Sequence, residues 1–291
     1  MYILLDIVES KWYNMSMKKI YEIIANDGIF PTSMKAYLRS LGLSATLIKK
    51  AKFGGIFLNG NPVTVRANVY FGDRIEIFSE EQHSEGIEPM DIPITILYED
   101  DDILAVDKPT NMPTHPSKGN NLPTLANAVM GYYGGNFVFR SVNRLDRDTS
   151  GVVIIAKNQM SAGALSSSMK KGLWEKKYHA IIDGCPKIEE GVIDAPIERI
   201  EEGNIKRTVR ADGKRAITKY KVIESRGNCS LCEISLLTGR THQIRVHMAH
   251  IGHPLTSDFL YGTPCETEYY LRCIEIKFPH PRSGEMIEIK A

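Results

Sequence analysis

A polar loop that runs directly into an apolar strand is the feature that most constrains how this chain folds. Residues 141–158 read SVNRLDRDTSGVVIIAKN, in which four charged side chains precede an uninterrupted apolar run. An apolar run of this length, bounded by polar residues, is typical of a buried strand. The charged loop therefore enters the core of a sheet, so its side chains lie at the boundary between solvent and protein interior.

Asp146 lies in this loop between Arg144 and Arg147. If the loop is extended, alternation places Arg144, Asp146 and Asp148 on one side and turns Arg147 away. A carboxylate fixed among arginines stays ionised, because nearby positive charge favours its charged form. An ionised carboxylate suits a nucleophile or a base, which makes Asp146 the candidate catalytic residue. The alternative interpretation is a surface loop of ion pairs.

Short extended runs and irregular helices surround this loop from residue 92 onward. Strands are predicted at ITILYED, ILAVDKP, GVVIIAKN, KKYHAIIDG, ITKYKVIES, CSLCEISLL, LRCIEIKF and MIEIKA, and helices at TLANAVMGYY and SAGALSSSMKKG. Many strands separated by irregular helices favour an α+β fold with a mixed, mostly antiparallel sheet over a doubly wound parallel sheet.

Half of the eight histidines lie in residues 238–253, TGRTHQIRVHMAHIGH, whose apolar positions fit either a strand or a helix face. A metal site is the obvious alternative use of these histidines. No acidic residue or cysteine lies among them to complete a zinc site, so we expect no metal. Cys229 and Cys232 fall on opposite faces of an alternating strand, which disfavours a zinc or redox pair.

The amino-terminal part carries basic charge that the net charge of +1 conceals. Residues 32–79 read as two short helices, a hairpin around Asn59 and Gly60, and a strand. Five basic side chains project from the polar sides of these helices: Lys35, Arg39, Lys49, Lys50 and Lys52. A second basic run lies in residues 199–221. Two such runs favour a polyanionic partner, although each is also compatible with an ordinary solvated face.

Other features of the sequence exclude several classes of protein. The start of the chain lacks a basic region before its first apolar residues, and no apolar run approaches the roughly 18 residues of a membrane span. Five cysteines without regular spacing fit a reduced compartment, so we expect a cytoplasmic protein without a membrane partner. A Walker A loop, a dinucleotide fingerprint, a nucleophile-elbow serine and an H-E-x-x-H pattern are all absent from the sequence.

Three segments, in this order, closely resemble motifs of the RluA/RluD family of RNA pseudouridine synthases. Residues 143–151, NRLDRDTSG, match the central motif H-R-L-D-x-x-T-S/T-G except at the first position, where Asn143 replaces a histidine and cannot titrate. EKKYHAIIDG resembles the family's tyrosine-bearing strand, and residues 238–258 resemble its third motif. YEDDDILAVDKPTNMPTHP is similar to the opening of the family's catalytic domain. Residues 32–78 resemble the alpha-L RNA-binding motif, which often precedes that domain.

The resemblance implies an isomerase that breaks the C1′–N1 bond of a flipped uridine, rotates the uracil and joins C5 to C1′. Asp146 would be catalytic, by attack on C1′, by attack on C6 or through a glycal. Tyr178 matches the tyrosine that stacks on the uracil and is a candidate to accept the C5 proton. Arg245 matches the arginine that pairs with the aspartate, and Arg144 the residue that fills the gap left by the flipped base. Further RNA contacts are expected from Arg147, Arg240, His242 and Gln243.

These expectations divide the chain into four parts. They are an amino-terminal segment (1–31) readable as helix or strand, an alpha-L module (32–79), an acidic linker (80–91) and a catalytic domain (92–291). The isomerisation is redox-neutral, which implies no cofactor, and the expected partner of this monomer is RNA. Large-subunit ribosomal RNA is the family's commonest target, and transfer RNA is another. Two alternatives remain: a non-catalytic RNA-binding protein that retained the fold, and a metal-dependent hydrolase that uses the histidines.

Overall fold

A computed structural model describes residues 17–43, 45–51, 54–80, 86–117, 122–264 and 268–291. Its amino-terminal part contains strands β1 (Met17–Ile24), β2 (Thr32–Ser33), β3 (Ile56–Leu58), β4 (Asn61–Pro62), β5 (Asn68–Val69) and β6 (Arg74–Glu80), with helices α1 (Met34–Ser40) and α2 (Ala45–Ala51). Strands β1, β6, β3 and β4 form an antiparallel sheet in that order. Strands β2 and β5 form a separate pair.

Local signals account for most of these elements. The helix predicted around residues 34–41 is confirmed, and the Ser33 hydroxyl accepts a hydrogen bond from the Ala36 amide at 3.3 Å. The predicted hairpin is also confirmed, since Asn59 and Gly60 adopt the positive φ angles of 52° and 82° that a tight two-residue turn requires. The sequence left residues 17–24 open between helix and strand. They form a strand because β1 pairs with β6 along its length.

The rest of the chain contains strands β7 (Thr95–Glu99), β8 (Ile103–Lys108), β9 (Ser150–Ala156), β10 (Glu175–Asp183), β11 (Glu190–Asp194), β12 (Ile197–Arg199), β13 (Arg207–Val209), β14 (Ile217–Arg226), β15 (Cys229–Leu236), β16 (Leu271–Pro279) and β17 (Met286–Lys290). Its helices are α3 (Leu125–Tyr132), α4 (Gln159–Lys170) and α5 (Gln243–His250). Nine strands form one sheet in the order β11-β14-β15-β10-β16-β9-β8-β7, with β17 beside β16. Its pairs are antiparallel except β9 with β16, which confirms the α+β prediction.

Strand β9 carries the loop that contains Asp146 into the centre of this sheet. Its apolar run is buried between β8 and β16, as the sequence predicted. Gly151 has a φ of 109°, and a Cβ there would lie 2.1 Å from the carbonyl oxygen of Cys273 on β16. Only glycine permits this approach of the two backbones. The loop before β9 therefore opens over the middle of the sheet rather than at its edge.

Helix α4 connects the amino-terminal sheet to the large sheet. It packs on β9 and β16 and also contacts β1. Met160 of α4 belongs to the same apolar cluster as Met34, Leu38 and Ile75 of the amino-terminal part. The two sheets thus have separate apolar clusters, and α4 of the large-sheet part contributes Met160 to the amino-terminal one. Among the described residues, no helix has the length and apolar character needed to span a membrane.

Candidate active site

The loop before β9 turns after Asp146 instead of staying extended. The Thr149 amide donates a hydrogen bond to the Asp146 carbonyl at 3.1 Å. The turn brings Arg147 onto Asp148, which accepts hydrogen bonds of 2.9 and 3.1 Å from the guanidinium. The expectation that Arg147 and Asp148 point to opposite sides is therefore wrong, because it assumed a strand-like alternation. The Asp146 side chain remains 26% exposed at the bend.

A buried lysine supports this bend from the interior of the protein. Lys108, at the end of β8, is completely buried, and its ammonium donates to the carbonyls of Pro109, Met112 and Arg147 at 2.9, 2.7 and 3.1 Å. An ammonium has three donors, so these three acceptors satisfy it. Burial lowers the pKa of Lys108 to about 8, and the nearby carboxylates of Asp148 and Asp146 oppose that shift.

Two polar side chains fix the backbone immediately before Asp146. The Thr114 hydroxyl donates to the Leu145 carbonyl at 2.8 Å and accepts from the Leu145 amide at 3.3 Å. The Asn143 amide donates to the carbonyl of Val152 at 3.1 Å and accepts from the amide of Ile154 at 2.8 Å. Asn143, which stands where the family motif has histidine, therefore ties the loop to β9 and needs no charge to do so.

His242 lies beside the Asp146 carboxylate, with 3.8 Å between its Nε2 and Oδ2 of Asp146. The Tyr261 hydroxyl accepts a hydrogen bond from the Arg207 amide at 2.9 Å and lies 2.8 Å from Nδ1 of His242. The hydroxyl and Nδ1 form a hydrogen bond whose direction is set by the tautomer of the imidazole. Burial lowers the pKa of His242, against the effect of the Asp146 charge.

The backbone of His242 adopts a φ of 57°, which is uncommon outside glycine and which favours a functional constraint. The side chain is mostly withdrawn from solvent. Its partners are the Tyr261 hydroxyl and the Asp146 carboxylate. An RNA contact by His242 stays a prediction, and the structure places the imidazole beside Asp146.

Arg245 makes its ion pair with Asp258. Its guanidinium donates hydrogen bonds of 2.7 and 2.6 Å to the two carboxylate oxygens, and the two side chains are 3% and 0% exposed. The expected pairing with Asp146 is therefore corrected, since the carboxylate partner within 4 Å, among the described residues, is Asp258. The Asp146 charge acts on Arg245 at longer range. Aromatic rings surround the guanidinium at 4.9, 5.1 and 5.7 Å: Phe259, Tyr261 and Tyr269.

Tyr178 lies on β10 and is almost fully buried. Burial raises the pKa of Tyr178 well above its ordinary value, with further contributions from Cys273 and from the Asp146 charge. The phenol is therefore neutral near pH 7, which suits a ring that offers a stacking surface. A neutral phenol in the resting protein is a poor base, so the candidate role in accepting the C5 proton requires a change on substrate binding.

The other predicted RNA contacts divide into exposed and buried groups. Arg144, Arg147 and Arg240 are exposed. Gln243 is 2% exposed, and its amide donates to the Ile217 carbonyl and the Thr218 hydroxyl at 3.0 Å while accepting from Thr238 and from the Arg240 amide. These bonds use the Gln243 amide to anchor the start of α5, and an RNA contact by Gln243 stays a prediction.

The histidine-rich segment forms helix α5, one of the two alternatives that the sequence allowed. His247 is buried on this helix, with Nδ1 2.8 Å from the Thr218 hydroxyl and Nε2 2.9 Å from the Ala195 carbonyl. Both ring nitrogens therefore have protein partners. Cys232 is buried and Cys229 partly exposed on alternate faces of β15, as predicted.

Within the described residues, one group has the composition of a metal site. Ligand atoms of Asp100, Asp102 and His280 lie within 4.8 Å of one another. Burial favours a higher pKa for Asp102, but hydrogen bonds from Arg282, Ser161 and Asn158 lower it to about 2. His280 lies 2.9 Å from Asp100. The group forms a hydrogen-bonded network between the start of β8 and the β16–β17 turn, and we assign no metal to it.

Sequence reasoning missed three supporting residues: Lys108, Asp258 and Tyr261. Two of them lie inside segments that had been singled out, since Lys108 ends ILAVDK and Asp258 ends the third motif. The available signal was a charged residue directly adjoining an apolar run. A local pattern does not say which distant group such a residue meets.

Comparisons with known proteins identify the relatives of this chain. A family model described as RNA pseudouridylate synthase matches residues 102–250. The uncharacterized RNA pseudouridine synthase YjbO of Bacillus subtilis is 37% identical, over 89% of this chain and 94% of the relative. Ribosomal large subunit pseudouridine synthase D of Haemophilus ducreyi is 36% identical, over 82% and 78%. The solved structure of human RNA pseudouridylate synthase domain containing 1 superposes with a TM-score of 0.59 at 26% identity, over 68% and 83%.

Proposed function

Because the chain belongs to the RNA pseudouridylate synthase family, we propose that it converts specific uridines of large-subunit ribosomal RNA into pseudouridine, with Asp146 as the catalytic residue. The choice of RNA is supported by two relatives, 36% and 37% identical, whose names specify the large ribosomal subunit. The protein is proposed to act as a cytoplasmic monomer. Transfer RNA is the competing substrate.

The observation that carries the proposal is the setting of the Asp146 carboxylate. Its side chain is partly exposed at a bend, with His242 beside it and with its charge acting on both Arg245 and Tyr178. This arrangement leaves a carboxylate open to substrate and within electrostatic range of a buried aromatic ring. A uridine taken out of its stack needs such a ring, and the reacting carboxylate must lie beside it.

The proposed reaction conserves atoms and electrons. The C1′–N1 bond breaks, C5 bonds to C1′, C5 loses a proton and N1 gains one. Asp146 supplies the electron pair, toward C1′, toward C6 or as a base in a glycal route. Tyr178 supports the uracil while it rotates. Arg144, exposed two residues before Asp146, is proposed to fill the gap in the RNA stack with its planar guanidinium.

The amino-terminal part is proposed to supply RNA affinity. We propose that residues 32–79 are an alpha-L module, that strand β1 completes its sheet and that residues 80–91 link it to the catalytic domain at 92–291. Lys35, Arg39 and Lys49 line one pocket between α1 and α2, where they offer positive charge to a phosphate backbone. The side chains of Lys50 and Lys52, and residues 1–16 and 81–85, lie outside the described part of the chain.

Site-resolved pseudouridine mapping tests the proposal. Total RNA from cells with the gene, without it, and with the Asp146→Asn variant is compared at every uridine. We expect the same one or few ribosomal sites to lose their signal in the deletion and in the variant. A signal lost from transfer RNA instead would overturn the substrate, and unchanged RNA in the Asp146→Asn strain would overturn the role of Asp146. Equal circular dichroism of the purified proteins controls for folding.

A further inference from the structure

A large aromatic side chain is exposed next to the buried Arg245–Asp258 pair. Phe259 follows Asp258 directly, lies on the segment between α5 and β16 and is 56% exposed. Exposing a phenyl ring to water is unfavourable in free energy, and a partner that covers the ring in the working complex removes this cost. Its neighbour Tyr261 is bonded to His242, so this turn forms part of the wall around Asp146.

The turn that carries Phe259 is held on both sides. Oδ1 of Asp258 accepts the amides of Leu260 and Tyr261 at 2.9 and 3.1 Å, and its backbone carbonyl accepts the Gly262 amide at 2.8 Å. The same carboxylate binds the buried Arg245. Phe259 is therefore presented to solvent by a fixed backbone, and a ligand that covers its ring need not order the turn first.

Two guanidinium groups adjoin the ring. Arg245 lies 4.9 Å from the ring centroid and Arg147 lies 5.8 Å from it. Arg245 is buried, whereas the Arg147 side chain is 46% exposed and belongs to the residue that follows Asp146. An open aromatic surface beside an accessible arginine matches one nucleotide, since the ring takes the base and the guanidinium takes the phosphate.

We propose that Phe259 stacks on a nucleobase adjacent in sequence to the isomerised uridine, with Arg147 at the connecting phosphate. The inference rests on the proposed function, because it takes the substrate to be RNA. The isomerised uracil itself is assigned to the buried Tyr178, which leaves the exposed ring for a neighbour. Stacking of this kind tolerates any base, so Phe259 adds affinity at the rim of the site without a sequence preference.

The competing role for Phe259 is a purely structural one. The ring covers Arg245, so its loss could simply admit water to the Arg245–Asp258 pair. Leucine separates the two roles, because it covers the guanidinium with apolar surface but offers no flat ring. Tyrosine keeps the ring and serves as the conservative rescue. Met286→Ala, which removes a similarly exposed apolar side chain from β17, is the matched control.

The experiment measures initial rates of pseudouridine formation in total RNA from cells that lack the gene, over a range of RNA concentrations. We expect Phe259→Leu and Phe259→Ala to raise the RNA concentration for half-maximal rate by about fivefold or more, with the saturated rate within about twofold. Phe259→Tyr and Met286→Ala are expected to match the unmodified protein. Thermal unfolding of each variant accompanies the rates.

Two results would overturn the inference. In the first, Phe259→Leu behaves like the unmodified protein while Phe259→Ala is impaired and less stable, which shows a structural cover. In the second, the saturated rate falls with an unchanged half-maximal concentration, which places the defect at Arg245 rather than in RNA contact. If the unmodified protein forms no pseudouridine in this RNA, the proposed function fails instead, and that outcome is visible before any variant is compared.

Discussion

The buried ammonium of Lys108 donates a hydrogen bond to the backbone carbonyl of Arg147, the residue that follows Asp146, across 39 positions of the sequence. The same ammonium holds two carbonyls of the segment after β8. One cation therefore fixes the two backbone segments that meet under the candidate catalytic carboxylate. Its role is to position Asp146, since its hydrogen bonds go to backbone carbonyls.

Lys108→Met tests this positioning. The change keeps the length of the side chain but leaves three carbonyls without their donor, and each unsatisfied buried group costs about 1–3 kcal/mol. We expect a lower free energy of unfolding in urea and a single-turnover rate reduced at least about tenfold, because the Asp146 loop loses its support. Lys157→Met, which removes a half-buried lysine paired with Glu99, is the control. An unchanged rate in Lys108→Met would contradict the assignment.

Variants of the Arg245–Asp258 pair are expected to affect the free energy of unfolding and the enzymatic activity differently. Asp258→Ala leaves a buried guanidinium without its partner, and we expect a loss of about 3–5 kcal/mol in the free energy of unfolding. The double variant Arg245→Met with Asp258→Ala removes both charges and is expected to regain much of that stability. We expect it to remain inactive, because Arg245 matches the arginine of the family motif and interacts electrostatically with Asp146. A double variant that is both stable and active would show that this pair serves the fold alone.

The two hydrogen bonds of Asn143 predict that an uncharged amide can replace the histidine that the family motif has at this position. Asn143→Ala leaves the Val152 carbonyl and the Ile154 amide without partners, with an expected loss of about 1–3 kcal/mol in unfolding free energy and a slower reaction. Asn143→His supplies one donor and one acceptor to the same two groups and is expected to retain activity. Rates for the two variants are compared at pH 7.5. Equal impairment of both would argue against the hydrogen-bonding role.

His242 predicts a dependence of stability on pH. Burial lowers the pKa of His242 in the folded protein, so below pH 6.5 the unfolded chain binds the proton more readily. Its contribution to stability is thus fully present above pH 6.5 and is lost as pH falls toward the lower folded-state pKa. The charged groups that act on it are Asp146, Arg245, Asp258 and Arg207.

The measurement is the free energy of unfolding at pH 7.5 and pH 5.5. We expect a smaller decrease in His242→Gln than in the unmodified protein, because glutamine does not titrate. Burial also lowers the pKa of His247. Part of the decrease in the free energy of unfolding between pH 7.5 and pH 5.5 therefore persists in His242→Gln. A decrease of the same size in both proteins would mean that His242 does not contribute.

Residues close together in sequence determined the elements that local physics can specify. The apolar run of β9, the stripe of α1 and the Asn59–Gly60 turn followed from periodicity and from backbone preference, and the order of the motifs pointed to Asp146. Where two local patterns competed, as in residues 17–24, pairing with a distant strand decided the outcome. The local pattern of a segment does not specify which distant strand the segment pairs with.

The chemistry around the carboxylate was decided by the tertiary structure. The sequence placed Arg245 near the catalytic centre, but packing of the turn after α5 gave its guanidinium to Asp258. Gln243 and His242 lie in a motif that suggested RNA contact, yet folding buried the first and turned the second toward Asp146. The sequence by itself determined which side chains are present and, where a single local pattern prevails, where strands and helices form. Only the long-range packing that excludes water from these groups decided which charges meet, because a buried charge takes the partner that the fold brings within reach.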